Sequence, residues 1–144
     1  MRVDYFLVDF ENVRTDGIKD LTGVNAGDAI IIFYSEQCKN ITLDVIESIS
    51  KLNLHLNCYK IKTGTKNALD FQLSSYLGYL IGQGEEDEKY HIVSNDKGFD
   101  CLCDFWKEQN IYVDRVLLSE PIKELVVPKV SCKTQEKKSK VKTS

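Results

Sequence analysis

Four aspartates fall where side chains from separate elements could meet. Asp9 ends one apolar run, Asp96 and Asp100 follow another, and Asp70 opens a helical pattern between them. If these elements form a parallel sheet with helices, the acids reach the same edge of the sheet. Carboxylates hold hard divalent ions, and such ions support phosphodiester cleavage by activating water and clamping phosphate charge. The pattern therefore points to phosphodiester chemistry.

Strands and helices alternate along the body of the chain. Short apolar or β-branched runs predict five strands, at residues 3–10, 29–34, 54–61, 90–94 and 111–117. Apolar residues at helical spacing predict helices at residues 42–53, 68–82 and 99–109. Such alternation predicts an α/β fold, a three-layer α/β/α sandwich with a central parallel sheet of about five strands. Asp9 and Asp96 then lie together if the first and fourth strands are neighbours.

The same acids also have ordinary structural explanations. Asn67 with Asp70 three residues later resembles a capping box, and acids are favoured near helix N-termini. Asp96 is well placed to cap the next helix. A capping aspartate keeps a second oxygen for other partners, so the sequence leaves both roles open for Asp70 and Asp96.

Length and composition indicate a globular protein. The 144 residues are 42% hydrophobic and 28% charged, and no apolar run approaches the roughly 20 residues of a membrane span. The N-terminal residues show no export signal, and five cysteines are an odd number for a disulfide framework. We therefore expect an intracellular, cytoplasmic protein with free thiols.

The charge is unevenly distributed. Residues 129–144 contain six lysines and one glutamate, a net charge of +5, so the preceding 128 residues carry −8 of the total of −3. Almost no large apolar side chains occur in this tail, so we expect it to be disordered. It would serve as a solubilising segment or as a phosphate-binding arm. These features divide the chain into a domain at residues 1–128 and a basic tail at residues 129–144.

Three motifs in this order resemble a known family. They are D-x-E-N at residues 9–12, K-N-A-L-D-F at residues 66–71 and S-N-D-x-G-F-D at residues 94–100. Together they resemble the PIN-like nucleases, especially the bacterial PIN-like and NYN group, over residues 3–117. The resemblance implies a PIN-like, Rossmann-like fold and a metal-dependent nuclease that usually acts on RNA. It also implies magnesium or manganese as the cofactor.

The resemblance assigns roles to individual side chains. The acids that it implies as catalytic metal ligands are Asp9, Asp70, Asp96 and Asp100. Asn12 matches an asparagine that often follows the first aspartate, and Ser94 matches a small hydroxyl residue that supports the site. Glu11 is a further supporting candidate, at a position where the family varies.

Basic side chains near the same rim could contact nucleic acid, although exposed solvated lysines explain them equally well. The candidates are Arg14, Lys62, Lys66 and Lys97. A body with a charge of −8 repels nucleic acid at long range, so local cations of this kind would compensate. RNA is therefore the expected partner, no membrane is expected, and self-association into a homo-oligomer stays open.

Two other classes of function remain open. A haloacid-dehalogenase-like phosphatase also uses acids at positions such as Asp9, Asp96 and Asp100, but most members have a second aspartate where this chain has Glu11. That class gives no reason for Asp70. A catalytically silent PIN-like module that only binds nucleic acid is the other alternative. The histidines, His55 and His91, lie inside predicted strands, where a structural role is more common than catalysis.

Overall fold

A computed structural model describes residues 2–19, 21, 23–62, 67–85 and 87–118. Five strands form one sheet, and each lies within one residue of its predicted bounds; they are Asp4–Asp9 (β1), Ala29–Tyr34 (β2), His55–Lys60 (β3), Lys89–Val93 (β4) and Tyr112–Val116 (β5). All strand pairs are parallel, and the order across the sheet is β3-β2-β1-β4-β5. The predicted α/β fold with a five-stranded parallel sheet is confirmed.

Helices connect the strands. The three predicted helices are present within two residues of their expected bounds, as Leu43–Lys51 (α2), Ala68–Gln83 (α3) and Asp100–Glu108 (α4). A further single turn, Phe10–Val13 (α1), begins directly after Asp9. The sequence prediction missed α1 because four residues are too few to show a helical period.

One face of the sheet packs against α3 and α4, and we call it the α3 face. Leu7 and Ile92 from the sheet contact Leu73 and Leu77 of α3 in this core, and all four side chains are fully buried. Leu73 and Leu77 are four residues apart, so they form one stripe along the helix. Asp70 lies one turn before Leu73 on the same stripe, in the first turn of α3. This N-terminal turn lies at the carboxyl edge of the sheet.

The opposite face packs against α2 and the segment after β1. Val8 and Ile30 pack in this second core with Val45 and Ile49 of α2. Thr42 caps the helix, because its Oγ1 accepts a hydrogen bond from the Val45 N–H at 3.4 Å. The sheet is thus covered on both faces, as the sequence predicts.

The strand order reverses between β1 and β4. β1 pairs with β2 on one side and with β4 on the other, where Val8 lies level with Val93. The residues that follow, Asp9 and Ser94, therefore end neighbouring strands at the same edge. Ligands of open parallel sheets bind at this kind of reversal. The condition under which the sequence brings Asp9 and Asp96 together, that the first and fourth strands are neighbours, is therefore met.

Some predictions fall outside the described residues. The basic tail at residues 129–144, Lys66 and Cys132 all lie there. Four cysteines within the described ranges are free thiols, namely Cys38, Cys58, Cys101 and Cys103. No helix in these ranges has both the length and the apolar character needed to cross a membrane.

Candidate active site

The centre of the candidate site is the buried carboxylate of Asp9. Asp9 is the last residue of β1 and is only 4% exposed. Ser94, the residue after β4, is fully buried and donates a hydrogen bond from its Oγ to Asp9 Oδ2 at 2.9 Å. This hydrogen bond joins the carboxyl ends of the two central strands and fixes one oxygen of Asp9.

Ser94 also positions Asp96. The Asp96 N–H donates to Ser94 Oγ at 3.0 Å, so one hydroxyl connects both aspartates. Asp96 Oδ1 accepts a hydrogen bond from the Gly98 N–H at 2.8 Å and caps the short 3-10 helix Lys97–Phe99. Asp96 thus has a capping role, but it caps this 3-10 turn and not α4, which has no side-chain cap among the described residues. This cap uses Oδ1 of Asp96, and Oδ2 is a separate donor atom for a ligand.

The turn α1 brings two further polar residues to Asp9. Asn12 Oδ1 accepts a hydrogen bond from the Asn95 N–H at 2.8 Å. Asn12 thereby ties α1 to the loop after β4. Glu11 is exposed on the same turn, and its charge contributes to raising the pKa of both Asp9 and Asp70.

Asp70 faces this group from α3. The Asn67 side chain makes no capping hydrogen bond in the described structure, so the capping box considered for these residues is not formed. Burial is the main cause that raises the pKa of Asp70, followed by the charges of Asp96 and Glu11. Asp70 therefore lies close enough to Asp9, Glu11 and Asp96 for their charges to repel it.

The Asp9 carboxyl group is strongly affected by these surroundings. Its pKa rises to about 6, mainly because burial disfavours the charged form. The hydrogen bond from Ser94 opposes the rise, whereas the charge of Asp70 adds to it. A buried acid that repels its neighbours is a setting in which a bound cation would be favourable.

Asp100 is placed differently from the other three predicted ligands. It begins α4 and forms a two-point pair with Arg115 of β5, with Nε to Oδ1 at 2.8 Å and Nη2 to Oδ2 at 3.4 Å. Arg115 Nη1 also donates to the Ser94 carbonyl oxygen at 3.1 Å. The charge of Asp100 is not among the causes that raise the pKa of Asp9 or Asp70. The structure thus brings three of the predicted ligands together and holds Asp100 beside them against Arg115.

Sequence reasoning missed Arg115. It lies in β5 on the α3 face, level with Ile92 of β4. A signal was available, because an arginine in an apolar strand run needs an acidic or carbonyl partner. Which partner it has depends on the packing of α4 against β5, and local sequence does not show this.

The predicted nucleic-acid contacts lie along the same edge. Arg14 follows α1, Lys62 follows β3, and Lys97 lies in the 3-10 helix after β4. All three are exposed. Arg14 adopts a φ of 54°, which is uncommon for a residue with a side chain and gives the sharp turn after α1. The edge that carries the acids therefore also carries cations.

The two histidines lie away from this edge. His55 begins the outer strand β3, and His91 lies in the middle of β4 on the face opposite Asp9. His91 Nδ1 is 2.6 Å from Asp114 Oδ1, and its Nε2 is 2.9 Å from Asp4 Oδ2. Burial lowers the pKa of His91, but the two aspartates outweigh it and the net direction is upward. Both histidines have the structural positions that the sequence indicates.

The donor atoms at the site suit a hard divalent ion. Within the described ranges, no group of three or more His, Cys, Asp and Glu residues is positioned to hold a metal ion. Magnesium, however, is usually held by one or two protein carboxylates while water and substrate phosphate complete its shell. Asp9, Asp70 and Asp96 supply carboxylate oxygens, and their repulsion would be relieved by a cation. The residue types are therefore those that hard divalent ions prefer, although the described residues form no preassembled ligand group.

Ser94→Ala should weaken both the fold and the site. The substitution removes the donor to Asp9 and the acceptor for the Asp96 N–H, and buried polar groups left unpaired cost about 1–3 kcal/mol. We expect a lower urea midpoint for unfolding and, for the phosphodiester cleavage that the sequence predicts, a rate at least about tenfold lower. Ser75→Ala, on the exposed side of α3, is the matched control and should change neither quantity. An unchanged midpoint and rate for Ser94→Ala would show that the hydroxyl does not organise the site.

Comparison with protein families explains this arrangement. The family model described as PIN domain matches residues 3–116, which is most of the chain and includes every site residue discussed above. Comparison with curated proteins and with solved structures gives no significant match. The finer assignment to the NYN group stays a prediction. With its parallel sheet and its acids at the strand-order reversal, the chain belongs to the PIN domain family, whose members are typically nucleases that use divalent metal ions.

Proposed function

We propose that the chain is a metal-dependent nuclease that hydrolyses phosphodiester bonds in RNA. The observation that carries this proposal is the buried Asp9 carboxylate, which has a pKa of about 6 and lies against the charge of Asp70. Asp96 is connected to Asp9 through the Ser94 hydroxyl. A cluster of acids at the reversal of a parallel sheet has a clear use in holding a hard cation.

Each residue has a distinct role in this proposal. Asp9, Asp70 and Asp96 would hold Mg²⁺ or Mn²⁺, with Asp100 as a fourth acid that Arg115 orients. When bound, the ion supplies an activated water and neutralises charge on the phosphate. Ser94 positions the Asp9 carboxylate, Asn12 positions the loop after β4, and Glu11 adds negative charge beside them.

Basic residues along the edge would contact the phosphate backbone. Arg14, Lys62 and Lys97 are exposed at the carboxyl ends of separate elements. Lys66 is proposed for the same role from its sequence position. We also propose a cytoplasmic location, since free cysteines suit a reducing compartment.

The phosphatase alternative is less well supported. Most haloacid-dehalogenase-like phosphatases have a second aspartate at the position where this chain has Glu11. That class also leaves Asp70 unexplained, whereas here Asp70 contributes directly to the electrostatics of Asp9. The structure therefore favours the nuclease over the phosphatase.

A cleavage assay tests the proposal. The full chain is incubated with labelled single-stranded RNA, hairpin RNA and DNA of the same sequence, in manganese, magnesium or EDTA. We expect cleavage of RNA with either metal and none in EDTA. Asp9→Asn protein purified in parallel controls for contaminating nucleases. Cleavage that persists in EDTA would contradict the metal mechanism, and RNA binding without cleavage would identify the silent binding module.

A further inference from the structure

An exposed group of tyrosines lies beside the candidate site. Tyr59 on the outer strand β3 and Tyr76 and Tyr79 on α3 form what we call the tyrosine platform. The ring centroids of Tyr59 and Tyr76 are 5.0 Å apart, and those of Tyr76 and Tyr79 are 5.7 Å apart. Tyr59 is 40% exposed and Tyr79 is 57% exposed. Three neighbouring rings thus form a continuous aromatic surface, in which Tyr59 and Tyr79 are exposed and Tyr76 between them is half-buried against the core.

The platform rests on a rigid base. Phe33 of β2 is buried beneath it, with its ring centroid 5.7 Å from that of Tyr59 and 5.9 Å from that of Tyr76. The Tyr59 hydroxyl donates a hydrogen bond to the Tyr76 hydroxyl at 3.2 Å, which ties the outer strand to the helix. The rings are therefore held in place before any ligand binds.

The strand register connects the platform to Asp9. Asp9 lies level with Phe33, and Phe33 lies level with Tyr59, so all three belong to one row on the α3 face. Two strand spacings separate Asp9 from Tyr59, about 10 Å between backbones. Nucleotides in a stacked strand rise about 3.4 Å each, so this span corresponds to about three nucleotides. Lys62 follows Tyr59 at the same edge and is exposed for a phosphate contact.

The negative charge of the body makes an uncharged binding surface useful for nucleic acid. Residues 1–128 carry a net charge of −8, which opposes the phosphate attraction that usually dominates binding to nucleic acid. Stacking of bases on aromatic rings is neutral and tolerates any sequence, because every base has a π face. Those faces are available in single strands and are already stacked in a duplex.

We propose that the tyrosine platform stacks unpaired bases of a single-stranded nucleic acid whose backbone lies at Asp9, Asp70 and Asp96, which we call the carboxylate cluster. This inference rests on the proposed nuclease function and adds to it a surface of this chain that binds the bases of the substrate. The platform gives the affinity that the acidic body lacks, and it selects single strands over duplexes.

The test measures binding separately from cleavage. The full chain in EDTA is titrated against a labelled 12-nucleotide single-stranded RNA, with fluorescence anisotropy as the readout. The double variant Tyr59→Leu with Tyr76→Leu should bind about 10- to 100-fold more weakly, because two stacking rings are lost. The double variant Tyr59→Phe with Tyr76→Phe keeps both rings and should bind within about threefold of the parent. Tyr112→Leu, at the opposite outer strand β5 and 50% exposed in the parent, is the matched control.

Two further measurements cover a variant that folds poorly. Tyr79→Leu alters only the most exposed ring of the platform and should weaken binding about threefold or more. The parent chain should also bind an RNA with three consecutive abasic positions about tenfold more weakly than the intact RNA.

With manganese, the Leu double variant should show a raised KM and a kcat close to that of the parent.

The outcomes separate this inference from the proposed function. Binding by the Leu variants that equals that of the parent would overturn the platform, even if the parent cleaves RNA. The platform would also be overturned if the parent bound the 12-nucleotide RNA equally well alone and annealed to its complement. A parent that binds single strands through the tyrosines but never cleaves would overturn the nuclease and leave the platform in place. Sedimentation that shows a dimer lost in the Leu variants, with RNA binding unchanged, would assign the surface to a second copy and overturn the proposal.

Discussion

Asp9→Asn should abolish RNA cleavage by this chain. The substitution keeps the side-chain volume and an oxygen that accepts from Ser94, but it removes the negative charge closest to the centre of the site. Metal-dependent stabilisation of the transition state is worth several kcal/mol, which corresponds to a loss of about a thousandfold or more in rate. Initial cleavage rates in manganese measure the effect.

Asp104→Asn is the matched control for this variant. Asp104 is exposed on α4, so its substitution makes the same charge change away from the cluster. It should cleave at the parent rate. If Asp9→Asn retained more than about a tenth of the parent activity, Asp9 would not be a metal ligand.

Asp9→Asn should also be more stable than the parent at neutral pH in metal-free buffer. Folding raises the pKa of Asp9 from 3.8 to about 6, so the folded state holds this proton more tightly. The stability of the parent therefore falls as pH rises from about 4 to about 6, by about 2–3 kcal/mol, and stays lower above that range. Asp9→Asn lacks this loss. Urea unfolding at pH 3.5 and pH 7.5 should show an advantage for the variant only at the higher pH, and an equal advantage at both would contradict the pKa.

Manganese should stabilise the parent chain against heat. At a manganese concentration a hundred times the dissociation constant, binding at Asp9, Asp70 and Asp96 adds about 2.7 kcal/mol to the free energy of unfolding. This corresponds to a rise of several degrees in Tm. The rise should follow the logarithm of the metal concentration. Calorimetric scans with manganese and with EDTA measure it.

The metal prediction depends on the same acids. Asp9→Asn and Asp70→Asn should lose most of the shift, whereas Asp104→Asn should keep it. Asp100→Asn should lose less than Asp9→Asn, since Asp100 is already neutralised by Arg115. An equal shift in all variants would place manganese elsewhere on the chain, and a Tm unmoved by millimolar manganese would contradict the site.

Local patterns in the sequence were sufficient for most of the fold. The Ala29–Tyr34 run is short, apolar at nearly every position and rich in isoleucine, which favours a strand buried on both faces. The spacing of Leu73 and Leu77 indicated both α3 and the face that it buries. By contrast, the turn α1 is too short to leave a period, so its position had to come from the structure.

The site was predictable where chain position decides it. Asp9 and Asp96 follow neighbouring strands, so the rule for parallel sheets brought them together. The setting of Asp100 was not predictable, because its pair with Arg115 joins α4 to β5 across the fold. The pattern at Asn67 and Asp70 matched a capping box by residue type alone, but the described structure forms no such hydrogen bond. Residue types fix what a side chain can do, and three-dimensional packing decides which partner it has.

The two contacts of His91 have a consequence for strand alignment. Leucine, isoleucine and valine side chains are nearly interchangeable, so β1 and β4 could slide by two residues and still bury apolar groups. Such a slip would leave His91, Asp4 and Asp114 unpaired in a largely buried place, at a cost of several kcal/mol. His91 therefore helps to fix the register of β1, β4 and β5. Because that register also sets Asp9 level with Ser94, a residue on one face of the sheet determines the alignment of the site on the other.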